Sequence, residues 1–211
     1  MRTIKFDGKD SWDWYELLTL SISTEEPEMK ESKVDIAGRD GDLDMSEAIA
    51  GYPVYYNRKL MFKFRAIGDE CQKLRGEFVK DVHGKKHLIE VEDEDHMYDG
   101  RCKVTIIENR GYYLDLRVDV DAYPYKTDNK EKSYTKTIGG ADFIDILNNG
   151  DSHAVPTIKT KSRFAVTFAG ETTEYPAGTH TALFSIPPGQ QRVYFEGEGT
   201  VTISFMEGYL V

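Results

Sequence analysis

The chain has 211 residues, 39% of them hydrophobic and 30% charged, with 27 basic against 37 acidic side chains and a net charge of −10. This composition excludes a disordered or fibrous chain, and its acidic balance argues against a surface that grips nucleic acid by releasing counterions. No run approaches the roughly 20 apolar residues of a bilayer crossing, and the start MRTIKFDGKDSW has no apolar segment for a signal peptidase, so a cytosolic product without a membrane partner is expected.

Near the start, Trp12 and Trp14 flank Asp13. Alternation along a strand or loop would place both indoles on one side, to anchor an interface or stack on a sugar, although partial burial against the first domain is the simpler expectation. Asp40-Gly41-Asp42-Leu43-Asp44 has carboxylates at alternate positions, like the first half of a calcium loop. Met45 stands where that loop needs glycine and Gly51 where it needs glutamate, so a turn leading into a short helix over Leu43 to Ala50 is expected instead, with no metal. In Pro53 to Ile67, Leu60, Phe62 and Phe64 alternate with polar residues, as on a strand with one buried face.

One segment breaks this β habit. From Asp69 to Val82, Cys71, Leu74, Phe78, Val79 and Val82 recur at helical spacing, with Asp69 as N-cap and Gly84 just past the end. His83 and His87 are four apart, but Gly84 interrupts any helix that would present both to zinc, so they read as exposed loop histidines. Glu92 to Asp95 is a solvated acidic run. Arg101 to Ala122 then reads as a hairpin turning at Glu108 to Gly111, with Tyr112, Leu114, Leu116, Val118, Val120 and Ala122 alternating with Tyr113, Asp115, Arg117, Asp119 and Asp121. Cys71 and Cys102, too few for a disulfide framework, sit on apolar faces as small hydrophobes.

The stretch KTDNKEKSYTKTIGG is polar and aperiodic, as in a linker or long loop. Residues 1–135 carry 22 basic and 29 acidic side chains, a net of −7, whereas residues 136–211 carry 5 and 8, a net of −3. The thinning of charge puts a domain boundary there, giving domains 1–135 and 136–211. In the second, ADFIDIL, RFAVTF, TALFSI, RVYF and TVTISF are strand-like runs separated by Gly, Pro and Asn, the pattern of a small antiparallel sandwich. The whole therefore reads as mainly β: a β-sandwich-like first domain with one amphipathic helix and a long hairpin, then the small sandwich.

No nucleophile elbow or Walker A loop is present, and Gly38-Arg39-Asp40-Gly41 and Gly197-Glu198-Gly199 are too short and acidic to cradle phosphate. No enzyme, cofactor or metal site is expected.

Several motifs in this order resemble the siphophage distal tail protein family. Between Lys33 and Phe64 they are an apolar-Gly-Arg39-Asp40-Gly41 turn, Leu43-Asp44, Tyr55-x-Asn57-Arg58 and the strand alternating with Phe. Tyr98-x-Gly100-Arg101 precedes the hairpin and Pro124-Tyr125-Lys126 follows it; Asn148-Asn149-Gly150, Val155-Pro156-Thr157-Ile158, Pro188-Gly189 and Val201-Thr202-Ile203 are similar to the family's C-terminal sandwich. The resemblance implies a ring-forming N-terminal domain and a galectin-like sandwich outside the ring, in a virion structural protein assembled in the host cytoplasm. The implied partners are five further copies in a homohexamer, the tail tube protein, the tail tip or tail-associated lysin protein, and a receptor-binding protein, with DNA passing through the ring without specific binding. Arg39, Asp40, Gly41, Tyr55, Asn57, Arg58, Trp12 and Trp14 are the motif and interface candidates. The second domain has no tryptophan and no room for a sugar-binding insertion, so the resemblance carries over its fold and not lectin activity. A carbohydrate-binding module for a cell-wall glycan is the alternative class, and a carboxylate-based hydrolase a third.

Overall fold

Two units make up the chain, the first ending at Pro124 and the second beginning at Tyr125, in a computed structural model that describes residues 2–210. The elements of the first are β1 (Ile4–Phe6), β2 (Lys9–Asp10), α1 (Ser11–Tyr15), β3 (Leu18–Thr24), β4 (Lys33–Val34), β5 (Leu43–Asp44), β6 (Arg58–Ile67), α2 (Cys71–Val82), β7 (Lys86–Val91), β8 (Met97–Asn109) and β9 (Tyr113–Ala122). Seven of its strands form one antiparallel sheet in the order β2-β1-β7-β8-β9-β6-β3.

Period-two alternation dictates which face of this sheet is dry. Leu60, Phe62 and Phe64 of β6 and Leu114, Leu116, Val118, Val120 and Ala122 of β9 are all buried, and the pairing sets Phe62 beside Val118 and Phe64 beside Leu116. Tyr112 lies before β9 begins and is exposed. The amphipathic helix supplies the cover. Phe78 of α2 packs edge-on against Phe6 at 5.7 Å, Phe64 at 5.9 Å and Tyr15 at 5.1 Å between ring centroids, geometries that suit the quadrupoles of aromatic rings. Its N-cap is Glu70 rather than Asp69 and makes no side-chain cap bond; Leu74 N–H donates to the Glu70 carbonyl instead.

Gly100 explains one of the motif positions. A Cβ there would lie 2.5 Å from Val120 Cγ1 and 2.9 Å from Ala122 Cα, so β8 and β9 approach this closely only because the side chain is absent. One histidine departs from expectation. His87 lies on β7, is buried, and its Nδ1 pairs with Asp7 Oδ2 at 2.7 Å, while exposed His83 accepts from Val104 N–H through Nδ1. Alternation with Leu88 turns His87 inward, which a loop reading overlooks.

The second unit contains β10 (Lys126–Thr127), β11 (Lys132–Asn148), β12 (Thr157–Thr160), β13 (Phe164–Phe168), β14 (Glu171–Tyr175), β15 (Gly178–Thr181), β16 (Gly189–Phe205) and β17 (Gly208–Tyr209). Five strands run β14-β13-β16-β12-β15, β11 also pairs with β16, and β10 pairs with β17. Antiparallel β11 and β16 stay in register from Lys132 opposite Phe205 to Asn148 opposite Gly189. Along the other edge of β16, β13 pairs with residues 194–197 and β12 with residues 201–204. Ile144, Phe164 and Val193 from one end and Ile158, Val201 and Ile203 from the other join a single core.

Three readings of this half are corrected. Gly197-Glu198-Gly199 does not end a strand: RVYF and TVTISF are one strand, because Gly139 and Gly140 stand opposite Glu198 and Gly197 and both chains keep pairing there. The supposed linker contains β10 and the start of β11, so the boundary expected after Thr135 falls inside a strand. That segment is polar because its outward side carries a threonine ladder, Thr135 with Thr202 and Thr137 with Thr200, while Tyr134 stacks on Phe205 at 6.3 Å. TALFSI is mostly irregular after Thr181, although Ala182 and Ile186 are buried and Ile186 bridges Ala154.

Glu207 locks the end of the chain. Nearly all of its side chain is buried, with Oε1 accepting from Lys132 Nζ at 2.8 Å and Asn149 N–H at 2.6 Å and Oε2 from Tyr209 OH at 3.1 Å. Burial alone would raise its pKa, but these donors outweigh it and hold the carboxyl below its ordinary value. Among the described residues no helix is long and apolar enough to cross a membrane.

Two outcomes follow from this packing. At Gly197 a Cβ would meet Phe164 Cδ1 at 2.7 Å and the Arg163 carbonyl at 2.9 Å, whereas at Gly139 it meets nothing within 4 Å. Gly197→Ala should cost about 2–4 kcal/mol in urea unfolding and Gly139→Ala about 0.5 kcal/mol. Because folding lowers the Glu207 pKa from an unfolded value of about 4.3, the stability it contributes is complete above that value and is lost as pH falls through the folded pKa. The melting-temperature gap between wild type and Glu207→Gln should therefore be widest near pH 7 and shrink steadily as the pH is lowered through the acid range.

Candidate interaction surface

Between β3 and β6, residues 25–57 leave the sheet as an arm in which no residue is buried. Pro27, Pro53, three glycines and frequent charge deny it an alternating apolar face. Its backbone is nevertheless tied together. Met29 bridges Tyr55, Lys30 N–H donates to the Val54 carbonyl at 2.7 Å, and Tyr56 N–H to the Glu28 carbonyl at 2.8 Å. Farther out, Lys33 pairs with Asp44 and Val34 with Leu43 across β4 and β5. The short helix expected over Leu43 to Ala50 is absent: Leu43–Asp44 is a strand, and Asp44 accepts from both Ser46 N–H and Ser46 Oγ–H, a local turn that competes with helix formation. Val34, Ile36, Met45 and Tyr56 are exposed and Ile49 is completely so.

The motif residues separate into two groups. Arg39, Asp40 and Gly41 occupy an exposed outer turn, where the Arg39 and Asp40 side chains make no hydrogen bond or ion pair among the described residues. Tyr55, Asn57 and Arg58 instead fasten the base of the arm. Asn57 Nδ2 donates to Asp121 Oδ2 at 3.0 Å, and buried Arg58 donates through Nε to the Pro124 carbonyl at 3.1 Å with its guanidinium 5.6 Å from the Tyr98 ring centre. The Tyr-x-Asn-Arg motif thus joins the start of β6 to the end of β9, next to a cleft of about 530 Å³ lined by Glu25, Glu28, Tyr56 and Asp121.

Trp12 and Trp14 do not share a face of a strand. Asp10 accepts from Trp12 and Asp13 N–H and starts the one-turn helix α1, on which residues two apart diverge. Both indoles are about half exposed, at 47% and 59%. The neighbouring Tyr15 is buried, its OH bonded to Asp81 Oδ2 at 2.8 Å; Lys9 first and Tyr15 second hold the Asp81 carboxyl below the usual range.

The outer face of β6, β9 and β8 is a charged ladder. Each β9 carboxylate on it has a cation: Arg65 is bidentate to Asp115 at 2.7 and 2.8 Å, Arg117 reaches Asp119 at 3.0 Å, and Lys59 bonds Asp121. Arg65 holds Asp115, whose side chain is only 13% exposed, below the ordinary carboxylate range. Among the described residues three cations of the face remain without a carboxylate: Lys63, Lys103 and Arg101, the last donating to the Gly84 carbonyl. Arg101, Lys103 and His83 edge a cleft of about 420 Å³ that Cys102 and Val120 help to line. Burial pushes the Cys102 thiol up to about 12, leaving it a poor nucleophile at neutral pH. Among the described residues no three His, Cys, Asp or Glu side chains converge as metal ligands. On the second unit, exposed Tyr194 neighbours Phe143, whose ring is stacked by Arg192 at 3.8 Å; that guanidinium is itself bidentate to Asp145.

No family model and no curated protein sequence matches the chain. A solved structure does: the Dit (gp 19.1) protein of phage SPP1, described as a paradigm of the hub adsorption apparatus in phages that infect Gram-positive bacteria. The two agree with a TM-score of 0.72 over 99% of each chain, at 16% sequence identity. The chain has the Dit fold. At this identity the likeness is one of architecture, and it spans both units. This chain also has features that the pattern of residues did not expose: α1, buried His87, and the excess of cations on the outer face. Only the last had a signal, since Lys63, Arg101 and Lys103 stand at strand positions opposite the apolar set.

Because the indoles of α1 are half exposed while Tyr15 is enclosed, Trp12→Ala should change the unfolding free energy by about 1 kcal/mol or less and Tyr15→Ala by about 3–5 kcal/mol in urea titrations.

Proposed function

We propose that the chain is a structural component of a siphophage tail: the distal tail hub, a homohexameric ring between the end of the tail tube and the tail tip, baseplate or receptor-binding apparatus. The observation that carries this reading is the likeness to SPP1 Dit over 99% of both chains. Two features of the chain support it. The arm of residues 25–57 is ordered by its own backbone bonds yet buries no side chain, as befits a segment that completes its packing on another subunit. The second unit has its own core and supplies a separate module for attachment.

In this reading the ring belongs to the N-terminal unit and the galectin-like sandwich lies outside it. Its partners are the tail tube protein on one side and the tail tip or tail-associated lysin protein on the other, with a receptor-binding protein at the periphery. The net charge of −10 suits a channel through which DNA slides without adhering. The role is mechanical rather than catalytic, exercised in the virion after assembly in the host cytoplasm. A carbohydrate-binding role is less well supported, because Arg192 occupies the Phe143 ring face beside Tyr194.

Light scattering of the purified chain should give about six times 24.1 kDa at micromolar concentration, and electron microscopy should find six-fold rings capping tail tubes. A monomer or dimer that neither closes alone nor binds tubes would contradict the hub assignment.

A further inference from the structure

We propose that the ring closes head to tail by docking the arm of one copy on the outer β6-β9-β8 face of a second copy of this chain. The inference rests on the ring reading above and names the two surfaces that make it. Charge is the first argument. The arm, residues 25–57, carries nine acidic against three basic side chains, a net of −6. The receiving face has the opposite excess within an otherwise acidic chain: its β9 carboxylates are already matched, and Lys63, Arg101 and Lys103 are left over.

Shape and polarity agree. The arm presents Met45 and fully exposed Ile49 among carboxylates, and the face holds a cleft over β8 and β9 edged by Arg101 and Lys103, with the already paired Asp119 and Asp121 on its other side. An apolar anchor among unpaired carboxylates fits a cleft edged by unpaired cations, which provides both burial and orientation. The two surfaces are different parts of one chain, so the contact is heterologous; repeated through a rotation that closes, it generates a ring instead of a dimer.

The test reverses each surface in the full-length chain. Lys63→Glu with Lys103→Glu reverses the face, and Asp40→Lys with Asp42→Lys reverses the outer turn of the arm; among the described residues all four are free of ion pairs. Each reversal should shift the mass from ring to monomer, weakening association by about 100-fold, and the chain carrying both should form rings again at the same concentration. Ile49→Asp, at a fully exposed position, should also release monomers with an unchanged melting temperature. Raising salt to about 1 M should favour monomer, as expected for screened charges. If the wild-type ring survives the face reversal or Ile49→Asp, this docking is wrong and the ring reading stands. If the doubly reversed chain stays monomeric, the pairing of arm with face is wrong. A wild-type chain that is monomeric at every concentration, with or without tail tubes, overturns both.

Discussion

The seating of Phe78 on one face of the first sheet is the interaction from which the remaining features of that unit follow. Its ring meets Phe6, Phe64 and Tyr15, residues drawn from β1, β6 and α1, so one helix turn joins three separate stretches of chain. Once α2 covers that face, strand alternation sends every second residue of β6, β8 and β9 the other way. What faces outward is polar, and it is organised: Arg65 with Asp115 and Lys59 with Asp121 run across neighbouring strands, and Arg117 with Asp119 runs along β9. The two more exposed pairs, Lys59 with Asp121 and Arg117 with Asp119, contribute about 0–1 kcal/mol each, so they set the charge pattern of the surface more than its stability.

The second unit solves a different problem. Two seventeen-residue strands are far longer than the usual strand, and such a pair would expose a wide flat face if it stayed straight. Glycines on both chains at the same level, Gly139 and Gly140 opposite Glu198 and Gly197, allow β11 and β16 to bend together, so that residues from both ends enter one core. Gly197 serves a second purpose, since Phe164 and the Arg163 carbonyl fill the space that its Cβ would occupy. The far end is held by a charge. Glu207, taken out of water, collects three donors from Lys132, Asn149 and Tyr209, and without them its burial would be costly.

The arm keeps its shape without a core, and in the proposed ring the distribution of charge gives it a purpose. The acids are concentrated in residues 25–57 while the sheet that the arm leaves is balanced toward base on its outer side. Opposite charges on distinct surfaces of one chain attract copies to one another, and the geometry of a heterologous contact permits a closed ring.

The amino-acid sequence by itself determined the elements whose signal is local. The alternation of Leu60, Phe62 and Phe64, the hairpin from Arg101 to Ala122 and the helical spacing of Cys71, Phe78 and Val82 could be read directly, because a single buried face imposes its period on the residues that form it. What only the tertiary structure decided depends on partners distant in the chain. KTDNKEKSYTKT looks like a linker until Thr200 and Thr202 pair with it. Gly197-Glu198-Gly199 looks like a turn until Gly139 and Gly140 lie opposite. Asp44 chose a turn with Ser46 over a helix, and Trp12 and Trp14 parted company because Asp10 capped a helical turn around them. The same holds for the candidate surface: Asn57 and Arg58 acquire their roles from Asp121 and Pro124, more than sixty residues away. Composition records how many charges a chain carries, but the pairing of strands decides which of them are neutralised and which remain to meet another molecule.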